Sequence, residues 1–161
     1  MSCCRRSFVG RVLTVKLMVV AVLGAVWFLG MRSKWPPVLD FQRKVNRRFV
    51  NPRQMRSAGS PGAYAAVIRH TGRKSGKVYE TPVVPFPSGD RFVIALPYGT
   101  RPDWVQNVLA AGTAELVHEG LTCTVDSPVV RSLLPGDVPA KDQRGLQLFG
   151  NTECLEVRRV G

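Results

Sequence analysis

From Val12 to Met31 the chain is apolar at almost every position and carries one charge, Lys16. Twenty helical residues reach about 30 Å, the thickness of a hydrocarbon layer, and the uncharged stretch from Leu17 ends in Trp27 and Phe28. The pattern therefore predicts a single membrane span with Lys16 snorkelling toward the headgroups; a flat interfacial helix and a buried extension stay open as alternatives. No small-x-small cleavage site follows the run, which argues against a cleaved signal. Trp35-Pro36-Pro37 then breaks the helix, and Val38, Phe41, Val45 and Phe49 recur at helical spacing through Val50. That stripe is expected to pack on the folded domain or the membrane surface while Arg43, Lys44, Arg47 and Arg48 face anionic lipid. Asn51 to Gly62 reads as a linker or loop.

Beyond it the period shortens. Strands are expected at Tyr64–Arg69, Val78–Phe86, Arg91–Leu96, Ala114–His118 and Leu121–Asp126, with a last one at Cys154–Val160. Pro87 to Asp90 and His118 to Gly120 read as hairpin turns. One helix interrupts the strands, Trp104 to Ala111, with Pro102-Asp103 as cap and first turn and Gly112 as stop. Short strands with one helix predict an α+β domain built on a small β-barrel or sandwich. Two segments follow: residues 1–34 as a membrane anchor and residues 35–161 as the folded domain.

Charge sharpens this division. Residues 1–56 hold twelve Lys or Arg and one acid, Asp40, whereas the remainder holds eleven basic and ten acidic residues. The net charge of +12 is thus a property of the N-terminal part, where it flanks an apolar segment; an anionic membrane, not nucleic acid, is the expected partner. Six cations, from Arg32 to Arg48, follow the span and three, Arg5, Arg6 and Arg11, precede it, which favours a single-pass protein of the cell membrane with its C-terminal domain cytoplasmic. Four cysteines show no CxxC pair and no neighbouring histidine, so they read as free thiols, with acylation of Cys3-Cys4 as a minor alternative. His70 and His118 lack ligand spacing and read as strand-end residues; no metal site is expected.

Candidate chemistry concentrates in Gly72 to Val84, GRKSGKVYETPVV. Glycines let backbone N–H groups approach an anion, Arg73, Lys74 and Lys77 supply charge, and Ser75 supplies a donor. The spacing does not fit a nucleotide P-loop, which also needs a helix directly behind it; here a strand follows.

The blocks GRKSGK…TPVV, SGDRFVIALPYG and PDWVQNVLAAG, in that order between Trp35 and Asp126, resemble the deazaflavin-dependent nitroreductase family of quinone and nitro reductases, which use coenzyme F(420). The resemblance implies a small split β-barrel of the flavin-reductase, FMN-binding-like type. It implies that Arg73, Lys74 and Ser75, with Lys77 beside them, hold the phosphate and polyglutamate tail. By the same resemblance Tyr79, Glu80, Thr81, Pro82, Val83 and Val84 lie along the ring. Ala95, Leu96, Pro97 and Tyr98, then Asp103, Trp104, Val105, Gln106 and Asn107, complete the cradle. For Trp104 and Leu109 a core role competes with cofactor contact.

Deazaflavin chemistry is hydride transfer, for which the protein supplies position and electrostatics. No catalytic residue is assigned: the Tyr98 phenol could donate a proton if it lies near the ring, and a loop aromatic with no chemical role is the alternative. The departure is C-terminal: the family's longer helical segment with tyrosines over the substrate face has no counterpart, because no tyrosine follows Tyr98. The expectation is a membrane-tethered F(420)-dependent oxidoreductase acting on a quinone, a nitro compound or another lipophilic small-molecule acceptor. An FMN oxidoreductase of the same barrel and a non-enzymatic carrier of the deazaflavin or a lipid are the alternatives, and a homodimer stays open.

Overall fold

The computed structural model describes residues 3–160, with side chains from residue 13 onward, so the side chains of Cys3 and Cys4 lie outside the described residues. Helix α1 spans Cys3–Arg32, and Leu13–Arg32 within it is long and apolar enough to cross a membrane by length and composition. The expected break follows: Trp35 is the extended residue before α2, Pro36–Val45, whose two prolines occupy the first turn, where a missing N–H costs nothing.

The next segment departs from expectation. The chain stays helical through a π-turn, Asn46–Val50, and α3, Asn51–Gln54, so the predicted linker begins as helix. The amphipathic stripe also divides. Leu39 is buried and Val38 and Val45 are half-buried, but Phe41 and Phe49 are 61% and 56% exposed. The π-turn is the physical reason for Phe49, since it adds a residue to the turn and shifts the register of every side chain beyond it.

Seven strands form one antiparallel sheet: β1 Ala66–Thr71, β2 Val78–Val83, β3 Pro85–Ser88, β4 Arg91–Ala95, β5 Thr113–His118, β6 Leu121–Ser132 and β7 Glu153–Arg159. Their order is β2-β1-β5-β6-β7-β4-β3. The two edge strands, β2 and β3, are separated in sequence by Val84 alone. Two Cα–Cα steps reach at most about 7 Å, so the sheet must curl until its edges nearly meet. It therefore forms an α+β half-barrel with its gap at Val84. Pro82, Pro85 and Pro87 lie on those edges, where a residue without an N–H keeps the strands from zipping together.

Helix α4, Asp103–Ala111, packs on the inner face, ending at Gly112 in a left-handed cap. Ile68, Ile94, Leu116, Leu155, Val105 and Val108 form the fully buried centre. Truncating one of the larger of these to alanine costs about 2–5 kcal/mol.

Three features of the sheet and the chain beyond it differ from the sequence reading. The single run read as Val78–Phe86 is two strands, broken at Val84 by the sheet's own gap. β6 runs six residues past Asp126: a bulge between Asp126 and Val129, at Ser127-Pro128, lets it leave β5 and continue along β7. Helix α5, Ala140–Leu148, was not expected. It is amphipathic only weakly and has no buried residue, so no apolar period announces it. Gly150, at a φ of +62°, follows it and lies against the Arg32 carbonyl oxygen, 2.8 Å from where a Cβ would sit. The Arg32 guanidinium donates to the Leu148 carbonyl at 2.9 Å, so the end of α1 is fastened to the end of α5.

Candidate active site

Residues 72–77 connect β1 to β2 as a tight hairpin. Gly72 is buried, and a side chain there would meet Ser75 Oγ at 2.6 Å and the Tyr79 ring at 2.7 Å. The loop satisfies its own backbone: Gly72 N donates to Lys77 O, Ser75 N and Gly76 N donate to Gly72 O, and Lys77 N reaches Ser75 Oγ. Arg73 N donates to Asn107 Oδ1 at 3.1 Å. The N–H groups of Gly72, Arg73, Ser75, Gly76 and Lys77 are thus paired within the protein, which leaves side chains as the main donors the loop presents outward. Arg73 is itself engaged, donating to Asn107 Oδ1 at 2.9 Å and pairing with Asp103 at 3.1 Å, which clamps the loop to the first turns of α4. Among the described residues Lys74 and Lys77 are in no ion pair and stand exposed.

Beneath the clamp lies His70, 5% exposed. Because Asn107 Oδ1 accepts from Arg73, its amide nitrogen faces His70 Nδ1 at 3.2 Å and must donate to it. Nδ1 is then the acceptor, the proton sits on Nε2, and Nε2–H donates to Thr81 Oγ1 at 3.2 Å. Burial lowers the pKa of the imidazole, with Asp103 opposing, which agrees with a neutral ring. His70, read from sequence as a strand-end residue, thus ties the basic loop, α4 and β2 together and stacks on Tyr79.

At the far end of β2 a cavity of about 620 Å³ opens, within the range of sites for small molecules. One wall is sheet: Pro82, Val83, Val84, Phe86 and Ile94 through Gly99, with Pro102 and Trp104 from the start of α4. The other is helical: Trp27 and Met31 of α1, Gln42, Asn46 and Val50, and Lys141, Asp142 and Leu146 of α5 with Phe149 just past its end. Asn151 also borders it. Its side-chain amide is buried with neither the nitrogen nor the oxygen partnered.

Across the helical wall runs a chain of side-chain hydrogen bonds. Trp27 Nε1 donates to Gln42 Oε1 at 3.0 Å, Gln42 Nε2 donates to Asn46 Oδ1 at 2.9 Å, and Asn46 Nδ2 donates to the Tyr98 phenol oxygen. Asn46 lies on the π-turn, a distortion that recurs at functional sites. Burial raises the pKa of the Tyr98 phenol, and the bond from Asn46 opposes this, so the group is protonated at neutral pH. Lys34, with Nζ on Pro97 O at 3.0 Å, has its pKa lowered by burial, with Glu153 opposing.

The sequence-predicted residues thus divide. Pro82, Val83, Val84, Ala95, Leu96, Pro97, Tyr98 and Trp104 border the cavity. Arg73, Lys74, Ser75, Lys77, Tyr79, Asp103 and Asn107 gather at the basic loop, where Tyr79 OH meets Ser75 Oγ at 3.1 Å. Four belong to neither group. Val105 is fully buried in the core, and Glu80 pairs with Arg69 at 2.7 Å on the exposed face. Thr81 holds His70, and Gln106 donates to Thr100 O at 3.0 Å. Trp27, Gln42, Asn46 and Asn151 were missed. The amide pair Gln42 and Asn46, at i,i+4 within a basic stretch, was the readable signal for two of them.

The apolar cavity and the cationic hairpin thus both border the first turn of α4, one at Pro102 and Trp104 and the other at Asp103. The family described as F420H(2)-dependent quinone reductase matches residues 41–127, and the chain belongs to that family of oxidoreductases. No curated protein matches. Among solved structures, one described as an F420-H2 dependent reductase, FDR-A, is 16% identical, covering 59% of this chain and 94% of its own, with a TM-score of 0.39. A domain-swapped dimer is 15% identical over 74% of this chain and 98% of its own, and an F420 reductase is 10% identical over 64% and 90%, each at a TM-score of 0.39. At such scores these likenesses add nothing to the family match.

Proposed function

We propose that this protein is a membrane-tethered reductase that takes hydride from reduced coenzyme F(420) and passes it to a lipophilic quinone or nitro acceptor. The observation that carries this reading is the cavity itself, apolar on its sheet side and bordered by Pro102 and Trp104, the two neighbours of the Asp103 that pairs with Arg73 of the basic loop. The half-barrel is read as the split barrel of flavin reductases, with the deazaflavin ring against Pro82–Val84 and Ala95–Tyr98. The anionic tail, polyglutamylated, would run past Trp104 to Lys74 and Lys77.

The coenzyme, when bound, supplies the hydride. The chain's part is to hold the ring flat against the sheet wall, exclude water with Trp27, Leu146 and Phe149, and supply from the Tyr98 hydroxyl the proton that a two-electron reduction of a quinone requires. Residues 1–34 serve as the anchor and residues 35–161 as the reductase domain, which faces the cytoplasm in this reading. Support for the anchor comes from exposure: within Leu13–Arg32 only Gly30 and Met31 are buried, whereas the core helix of a soluble domain is mostly buried. Exposed Trp35, Phe41 and Phe49 lie next to it, beside the basic residues expected to meet anionic headgroups.

The test is a titration of the full-length protein in detergent with F(420), its tail-less riboside and FMN. Binding of F(420) that tightens with added tail glutamates and weakens with salt is expected, because cations pair with carboxylates. Tighter binding of FMN, or equal binding of the tail-less form, would overturn the assignment. For the acceptor, turnover of a long-chain menaquinone analogue should rise in anionic liposomes while a water-soluble quinone is unaffected, since the tether concentrates only the lipid-dissolved acceptor. Equal responses, or reduction of neither acceptor, would move the assignment to a carrier.

A further inference from the structure

The chain from Trp27 to Tyr98 has a direction, and one residue sets it. An indole N–H is a donor only, whereas each carboxamide can turn its oxygen or its nitrogen either way. Because Trp27 donates, Gln42 must present its oxygen to Trp27 and its NH₂ to Asn46. Asn46 must then present oxygen to Gln42 and NH₂ to Tyr98, whose oxygen is left as an acceptor. Each carboxamide keeps a second N–H outside the chain, and the phenol hydrogen is the one hydroxyl donor that the chain leaves without an acceptor; all four residues border the cavity.

We infer that Trp27, at the end of the apolar helix, is a positioning residue that fixes the polarity of this chain and so keeps the Tyr98 O–H aimed as a donor at whatever occupies the cavity. Turned the other way, Asn46 Oδ1 would accept the phenol hydrogen, and Tyr98 would offer the cavity only a lone pair. A substrate oxygen gaining electrons needs the donor. The inference rests on the reading of Tyr98 as proton donor for its catalytic meaning, but the polarity itself is a property of the protein without cofactor. It also gives α1 a second task, because its last turns both leave the apolar stretch and set a hydrogen bond at the site. Trp27 and Phe28 each pack edge-on against Phe149, at 6.1 and 5.9 Å, so the indole is held between α5 and Gln42.

The readout is the ionisation of Tyr98 in the full-length protein, followed by tyrosinate absorbance and isolated by subtracting the Tyr98→Phe version of each variant. The charged groups of this part of the fold are Lys34, on the Pro97 carbonyl with Glu153 acting on it, and Lys141 and Asp142, which border the same cavity; none of them is altered. Trp27→Phe keeps the ring and its contact with Phe149 but removes the donor. Asn46 is then free to accept from the neutral phenol, so the midpoint should rise, by about half a unit or more. Gln42→Leu cuts the chain one link further on and should also raise it. Phe28→Leu loosens the same packing without touching the chain and should leave it unchanged. A midpoint that stays or falls in Trp27→Phe and Gln42→Leu, or rises equally in Phe28→Leu, overturns the inference. With reduced F(420) and a quinone, Trp27→Phe should lower kcat several-fold and leave cofactor binding intact. Shifted midpoints in a protein that neither binds F(420) nor turns over would sink the functional reading and leave the polarity standing.

Discussion

The two walls of the cavity differ in origin. The sheet wall, Pro82 to Val84 and Ile94 to Gly99 with Trp104, lies inside the family match at residues 41–127 and is built from backbone that the curled sheet fixes. Trp27, Met31, Lys141, Leu146, Phe149 and Asn151 on the opposite side come from outside it. The sheet wall is thus the family's, whereas the helical wall is mixed, because Gln42, Asn46 and Val50 also fall inside the match. On the proposed function, the cofactor common to the family lies on the first and the acceptor against the second. Variants on the two sides should therefore fail in different ways.

Tyr98 sits where the walls meet and should show the largest effect. Tyr98→Phe removes the proposed proton donor without changing shape, and a general acid contributes about 10²–10⁴-fold. A fall of kcat by on the order of 100-fold with unchanged F(420) affinity is expected from steady-state turnover alongside a binding titration. Loss of both together would mean that Tyr98 holds the ring instead.

Next in size is the electrostatic end of the sheet side. Lys74→Ala with Lys77→Ala should weaken polyglutamylated F(420) by roughly 3- to 30-fold at low salt, and much less at high salt, because exposed charges are strongly screened. Arg73→Ala should act differently. Its guanidinium holds Asp103 and Asn107, so the variant should melt a few degrees lower, and its affinity loss should persist in salt. Calorimetry and titration at two salt concentrations separate the two patterns.

A smaller effect probes the other wall. Asn151 is buried with both amide atoms unpartnered, an arrangement that costs stability unless a ligand or water completes it. Asn151→Leu should raise the stability of the empty protein by about 1 kcal/mol and raise KM for the acceptor more than Kd for F(420). A fall in stability would mean that the amide has a structural partner.

How far the sequence carried this division follows from the same two walls. Strands and turns were readable because alternation and Gly turns are local signals, and the sheet-side residues were singled out by the family resemblance of the three blocks that contain them. The break of β2–β3 at Val84 was not, because only the closing of the sheet upon itself makes that residue a gap. The continuation of β6 past Ser127-Pro128 was hidden by the two residues that usually end a strand, and α5 by its lack of an apolar face. Trp27 was legible as the aromatic end of a membrane-type helix and illegible as a cavity residue. Its partner, Gln42, lies beyond the Trp35-Pro36-Pro37 turn, and only folding the second helix back against the first brings them together.

The smallest effect lies deepest in the sheet side, at His70. Its folded pKa is depressed below the ordinary imidazole value by burial, so the unfolded chain binds a proton more readily than the folded one. Stability is then fully present above the unfolded pKa of about 6.5 and is lost as pH falls below it, with the loss ending once the folded pKa is passed. Protonation would put a hydrogen on Nδ1, facing the Asn107 amide nitrogen that already donates to it, and the clamp from Asn107 to Arg73 would have to open. Thermal melts between pH 7.5 and 5.5 should thus show a steeper decline for the native chain than for His70→Gln, which cannot titrate. The same change in pH should weaken tail binding in the native protein only, because the loop that carries Lys74 and Lys77 is held by that clamp. Parallel decline in both proteins would mean that acid acts elsewhere and that the basic hairpin stands without its histidine.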